Sequence, residues 1–182
     1  MLYEDPAYAK VVRYRFVKNG LMDDQPCILF THGDIAPIRD EMKRFEIDVS
    51  RYERSGMLNI LQIRCPTKHA KGFQAGVDRI IETFQSTGIT PPHRITGCGF
   101  IRDLSTREGL RAQAQVEQMW DRASVGKEES FGQLGEGLIL CTHFLRELNP
   151  SRRLEWVEEA FALHDGLIYV PQRFGAGVAS HL

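Results

Sequence analysis

The chain has 182 residues, 42% of them hydrophobic and 26% charged, which is the composition of a folded globular domain and excludes a disordered or fibrous one. At this length roughly 70% of the unfolded chain's surface can be buried, enough for a core without metal or disulfide staples. Lysine plus arginine number 23 against 24 acidic residues, a net charge of −1, so no general field draws the chain to nucleic acid or an anionic membrane.

Asp5-Pro6 predicts a helix start, with Asp as N-cap and Pro at the first helical position. Tyr8, Val11, Val12, Phe16 and Val17 continue at helical spacing to Gly20, placed as the C-terminal glycine. Cys27 to Thr31 (CILFT) is an apolar run suited to a strand covered on both faces. Asp34 then caps a helix carrying Ile38, Met42 and Phe45, and a short turn or helix over Val49–Ser55 ends at Gly56. Met57 to Ile63 reads as a strand. Phe73, Val77, Ile80, Ile81 and Phe84 form a helical stripe, and His93 to Phe100 a weaker strand. Ser105 with Glu108 has capping-box spacing, and the helix that follows carries Leu110, Ala114, Met119 and Trp120. Val125–Gly135 reads as a surface loop and Gly137–Thr142 as a strand. A helix runs from Asn149-Pro150 to Leu163, and Gly166–Val170 is the last strand. The tail from Gln172 has no apolar period.

Helices and short apolar strands thus alternate throughout, without repeats. The pattern predicts one α/β domain over residues 1–171 with a tail over 172–182, and a mainly parallel sheet between helical layers. Ligands of such sheets bind beyond the carboxyl ends of the strands. That edge collects the stretch before Asp5, Thr31–Asp34, Gly97–Phe100 and Cys141–His143.

The chemistry at that edge is sparse. No GxxxxGK[ST] and no GxGxxG entering a helix is present, so the amide cradle for phosphates is missing, and the first strand-to-helix junction is acidic at Glu4-Asp5. His32 and Asp34 could exchange protons or bind metal, although turn chemistry and helix capping explain them more plainly. Cys141 and His143 stand two apart, so on a strand both side chains share one face. Thiolate and imidazole begin a zinc site, but nothing nearby in sequence completes it. A core thiol and a rim histidine are the simpler reading. Cys27, Cys65, Cys98 and Cys141 form no CxxC pair and sit in or beside apolar runs, as buried thiols of a reducing compartment do. No apolar run approaches the ~20 residues of a bilayer span, and no secretory signal opens the chain. The expectation is a cytoplasmic protein.

Leu2-Tyr3-Glu4-Asp5-Pro6, Phe16 to Leu21, Cys27 to Asp34, Phe45 to Leu58, Asp103 to Arg111 and Leu140 to Phe144 occur in an order that resembles the MEDS family of methanogen and methylotroph sensory domains. The resemblance covers nearly the full chain. It implies a three-layer α/β sandwich, RecA/KaiC-like, that has lost its phosphate-binding loop. It also implies a non-catalytic sensory role toward small organic compounds, with a histidine kinase or a transcription regulator as output. Carried over by position, the ligand-binding residues are Tyr3, Glu4, Asp5, Thr31, His32, Asp34, Cys141 and His143. The family's opening strand extends further upstream than Met1, so a stunted first strand is expected here.

The reading is therefore a cytoplasmic sensory domain without cofactor or resident metal. It signals through a separate protein or a change in self-association, with no direct nucleic-acid or membrane contact. A diverged nucleotide-dependent ATPase and a protein–protein adaptor are the rivals.

Overall fold

The computed structural model of the chain describes residues 1–62, 94–97, 104–124, 138–146, 148, 150–164, 166 and 168–170, with the backbone alone for 119–124, 169 and 170. Several expected features lie outside this set: the helix over 73–84, the loop over 125–135, Cys65, Cys98, Asp103 and the tail. Among the described residues the chain is α/β, with every paired strand parallel.

The opening strand β1 is Leu2–Tyr3, two residues long. Helix α1, Pro6–Met22, is capped by Asp5, whose Oδ1 accepts from Ala7 N at 2.9 Å and Tyr8 N at 3.3 Å. The helix does not stop at Gly20. It ends at Asp23, and Asp24 takes the left-handed conformation at φ 55°. Gly20 is instead a contact position: a Cβ there would stand 2.6 Å from Arg94 Cδ and 2.7 Å from Cys27 Sγ. Strand β2 is Cys27–Thr31, buried at every position.

Helix α2, Ile35–Arg44, has Asp34 at the cap position, but the Asp34 side chain makes no capping hydrogen bond. Helix α3, Val49–Arg54, is capped by Asp48 and followed by Gly56 at φ +75°. Strands β3 and β4 are Leu58–Gln62 and Arg94–Gly97. Helix α4, Arg107–Ser124, starts one residue later than the Ser105 capping box predicts, and Thr106 Oγ1 accepts from Gly109 N at 3.1 Å. Strands β5, Leu138–Leu140, and β6, His143–Phe144, are one run interrupted at Cys141-Thr142. A 3-10 turn at Pro150–Arg152 leads into α5, Arg153–Leu163, and then to β7, Tyr169–Val170.

Two small sheets result, ordered β3-β2-β4-β5 and β6-β1-β7. In the first, Cys27 stands beside Leu58 and Arg94, and Thr96 beside Leu140. In the second, Leu2 lies between His143 and Tyr169. Because β5 and β6 are consecutive pieces of one strand, the two ladders share a segment of chain. Among the described residues α1 lies between β1 and β2 in the chain, α2 and α3 between β2 and β3, α4 between β4 and β5, and α5 between β6 and β7; parallel pairing needs such crossovers.

Alternation along β2 divides the core. Ile28 and Phe30 join Leu2, Ile95, Leu110, Val116, Leu145 and Trp156 against α4 and α5. Cys27 and Leu29 join Tyr14, Val17, Met42, Val49 and Ile60 against α1, α2 and α3. A strand presents successive side chains to opposite faces, so a five-residue apolar run serves two helical groups. Arg94 ties β4 to α1: Nε donates to Gln25 Oε1 at 2.7 Å and a terminal nitrogen meets Asp23 at 3.0 Å.

Gly97 lets β4 and β2 approach. A Cβ there would lie 2.5 Å from both Phe30 Cβ and the Phe30 carbonyl oxygen, and backbone cannot yield as a flexible side chain can. Gly97→Ala should therefore cost about 1–3 kcal/mol in urea unfolding, the ordinary penalty of overpacking; an unchanged midpoint would contradict the contact.

On the opposite face, Glu41 accepts from Lys10 Nζ and from Tyr14 OH, each at 2.7 Å. These two contacts hold its carboxyl below the ordinary range. A depressed folded-state pKa adds stability above the unfolded value, and that increment fades as the pH falls through the folded value. The stability gap between wild type and Glu41→Gln should be full above about pH 4.5 and close below it, as read from urea midpoints across that range.

Candidate functional site

The strand-end residues stand at the carboxyl ends of two sheets, Tyr3 in β6-β1-β7 and Thr31 in β3-β2-β4-β5. Neighbouring strands lie about 4.8 Å apart, so β2 and β5 stand about 10 Å from one another across β4. Along this edge Thr31 is buried, and its Oγ1 accepts from Gly33 N at 3.0 Å, closing the turn after β2. Gln62 Nε2 donates to Gly33 O at 3.2 Å and steadies the same turn. His32 and Glu4 are half-buried and Asp34 is exposed. Tyr3 stacks on Phe144 with ring centroids 5.2 Å apart and packs with Val12 on the α1 side. Asp5 is committed to the α1 cap.

Cys141 and His143 behave differently. Across the break between β5 and β6 both side chains are directed into the α4/α5 layer. His143 is only 4% exposed, so the rim position expected for it is corrected: it is a core residue, its ring edge-on to Trp156 at 5.2 Å. The short β6 strand places it beside Leu2 and under the helices.

There it meets Glu117, which α4 buries to 3% exposure. Glu117 Oε1 lies 3.3 Å from His143 Nε2, and Oε2 lies 3.3 Å from His164 Nε2. Gln113, one turn earlier on α4, donates its Nε2 to Glu117 Oε1. The Cys141 thiol approaches the same carboxylate. His164 stands at the C-terminal end of α5, where its Nδ1 meets Ala160 O at 2.7 Å. A carbonyl only accepts, so Nδ1 carries the proton and Nε2 is left toward Glu117. Helix C-termini have such unpaired carbonyls to offer.

The electrostatics divide the cluster. Burial works to raise Glu117, but the facing imidazoles and the thiol outweigh it and hold the carboxyl ionised. Burial lowers His143 to about 4 despite the neighbouring carboxylate, so it is neutral at pH 7. Contact with Glu117 raises His164. Burial pushes the Cys141 thiol up, and the Glu117 charge adds to it. The cluster can hold and move a proton between Glu117 and His164. Its Glu117, His143 and His164 donor atoms also lie within 4.8 Å of one another, as metal ligands do.

Glu117 and His164 escape the sequence reading because nothing local pairs them with residue 143. One signal was present: Glu117 follows Leu110 and Ala114 at helical spacing, a carboxylate on an apolar stripe. Outside this cluster, Arg152 of the turn before α5 pairs with Glu155 at 2.9 Å. It lines a cleft of about 70 Å³ with Arg107, Arg111 and Trp156.

The chain matches no model of a known protein family, and no curated protein matches it.

Two thiols test the burial. Cys27 is buried and Cys141 half-buried; burial pushes the Cys27 thiol to about 12 and raises the Cys141 thiol well above its ordinary range. Thiolate is the reactive form, so peptide mapping after Ellman's reagent at pH 8 should find both unlabelled in the folded chain and labelled in denaturant. Rapid labelling of Cys141 under native conditions would place its thiol at the surface instead.

Proposed function

We propose that the chain is a non-catalytic sensory or regulatory domain of the MEDS type, which binds a small organic ligand at the carboxyl edge of a RecA/KaiC-like three-layer sandwich. The parallel pairing and the division of β2's side chains between two helical groups support the three layers. The observation that carries the functional reading is the buried Glu117–His143–His164 cluster beneath that edge, beside Cys141. Polar groups in a core are normally hydrogen-bonded, and each exception calls for an explanation such as a bound water, an ion or a functional role. His143 Nε2 and Glu117 Oε2 have no hydrogen-bond partner among the described residues. Tyr3, Glu4, Asp5, Thr31, His32 and Asp34 form the outer part of the proposed site, with Cys141 and His143 beneath.

Helix α1 supplies the argument against nucleotide hydrolysis. A helix N-terminus after a β-strand is where phosphate binds, and here the Asp5 carboxylate takes the amides of Ala7 and Tyr8. A triphosphate would have to displace a fixed negative charge. A ligand acts by favouring one conformation, only as far as its affinity differs between the two, and the output passes to a histidine kinase, a transcription regulator or a second copy of the chain.

A second reading is favoured by one feature. Leu154 and Phe161, 71% and 57% exposed, stand two turns apart on α5 and form an apolar stripe suited to a protein adaptor.

A thermal-shift screen over small organic compounds and nucleotides decides between these readings. At a hundredfold excess over Kd a true ligand should raise the melting temperature by about 5–10 °C, and Tyr3→Ala or His32→Ala should shrink the shift. If no compound stabilises the chain, the sensory reading falls. Magnesium-dependent ATP turnover lost on changing Glu4 or Asp34 would replace it with the enzyme reading.

A further inference from the structure

The geometry points to a divalent transition-metal site in the core, formed by Glu117, His143 and His164, with zinc as the ion of best fit. The Cys141 thiol, which stands against Glu117 but outside that group of donors, turns in as the fourth ligand when the ion binds. Three elements deliver the donors: α4, β6 and the end of α5.

The spacing comes first. Zinc bonds to imidazole nitrogen and carboxylate oxygen measure about 2.0–2.1 Å, so the edge of a tetrahedron of such donors is about 3.3–3.4 Å. Glu117 Oε2 stands 3.3 Å from His164 Nε2, Oε1 stands 3.3 Å from His143 Nε2, and one donor atom from each of the three residues lies within 4.8 Å of the others. Charge-assisted hydrogen bonds are shorter, about 2.7–2.9 Å. Binding an ion through Oε2 requires the remaining separations to close to the tetrahedral edge.

Hydrogen bonds already orient two of the donors. Ligating histidines donate their other ring N–H to a carbonyl or carboxylate, which fixes the tautomer; His164 Nδ1 does so to Ala160 O at 2.7 Å. Gln113 Nε2 occupies Glu117 Oε1, which leaves Oε2 without a hydrogen-bond partner among the described residues, as is His143 Nε2. Both open atoms face into the cluster.

The donor types select the ion. Two imidazoles, a carboxylate and a thiolate suit zinc and its neighbours, whereas calcium and magnesium take oxygen donors. On ligation Cys141 gives up its thiol proton, and His164 any proton that it carries, to solvent. One carboxylate and one thiolate then balance the two charges of the ion, and a neutral centre costs least in an apolar core. With the Cys141 thiolate turned in as the fourth donor the site is closed, which is the arrangement of structural rather than catalytic zinc, and an organic ligand is left the outer residues of the proposed site. It would pin α4 and α5 to the sheet.

Cobalt(II) and zinc(II) titrations of the full chain test this. Metal-free protein, prepared by unfolding with chelator and refolding, should take up one equivalent of either ion. The cobalt form should show tetrahedral d–d absorption with a thiolate charge-transfer band. Cys141→Ser should remove that band. Gln113→Leu, outside the ligand set, should weaken binding about 10–100-fold, and Glu117→Gln and His143→Gln should weaken it further than Gln113→Leu does. Should either ligand variant fail to fold by circular dichroism, Gln113→Leu and Cys141→Ser carry the test. The proposal is overturned if the wild type binds no stoichiometric ion, if the cobalt spectrum lacks the sulfur band, or if Gln113→Leu binds as tightly as wild type. No organic compound enters these titrations, so their failure leaves the sensory reading standing, and an empty ligand screen leaves the metal site standing.

Discussion

One segment of chain, Leu138 to Phe144, holds two ladders. Up to Leu140 it pairs with β4, and from His143 it pairs with β1. Between them the backbone leaves the strand, and side chains take over the pairing. Thr142 Oγ1 donates to Gly97 O at 2.8 Å, and Thr96 Oγ1 donates to Leu140 O at 3.1 Å. Beyond the break, His143 N donates to Met1 O and Leu145 N to Tyr3 O, each at 2.9 Å. Backbone groups in a core must be paired, and these bonds meet that demand while letting the strand change neighbours. The direction of Cys141 and His143 into the α4/α5 layer follows from it. So does the junction of the two sheets.

The cluster beneath this segment is costly by its nature. Moving a carboxylate out of water costs several kcal/mol even after relaxation, and pairing only partly offsets that. Glu41, also hydrogen-bonded but at the surface, carries no comparable penalty. Glu117 stays ionised in the core because imidazoles, a thiol and an amide surround it. A hydrophobic residue of similar volume would stabilise the fold at least as well. The charge there directs attention to what it can hold, and Glu117 Oε2 and His143 Nε2, which have ion-pair contacts but no hydrogen bond among the described residues, direct it to the same place.

Much of the local structure was legible in the sequence. The strand over Cys27–Thr31 and the cap at Asp5-Pro6 stand where the pattern put them, because alternation, capping and proline chemistry act within a few residues. The errors were also local in form and tertiary in cause. Gly20 reads as a terminator, but the helix passes through it, and Arg94 and Cys27 from two strands need the space that a side chain would fill. The cap of α4 shifted from Ser105 to Thr106, within the tolerance of any boundary. His143 reads as a rim residue because its neighbours along the chain say nothing of the helices that cover it.

The sequence by itself determined the alternation of helix and strand and the parallel pairing that such alternation requires. These depend on backbone geometry that repeats every two or every 3.6 residues. Tertiary structure alone decided that Cys141 and His143 would point the same way across the break after Leu140 and that Glu117 and His164 would meet them. Their positions depend on how long crossovers lay α4 and α5 against the sheet, and no short-range periodicity encodes a contact between residues so far apart in the chain.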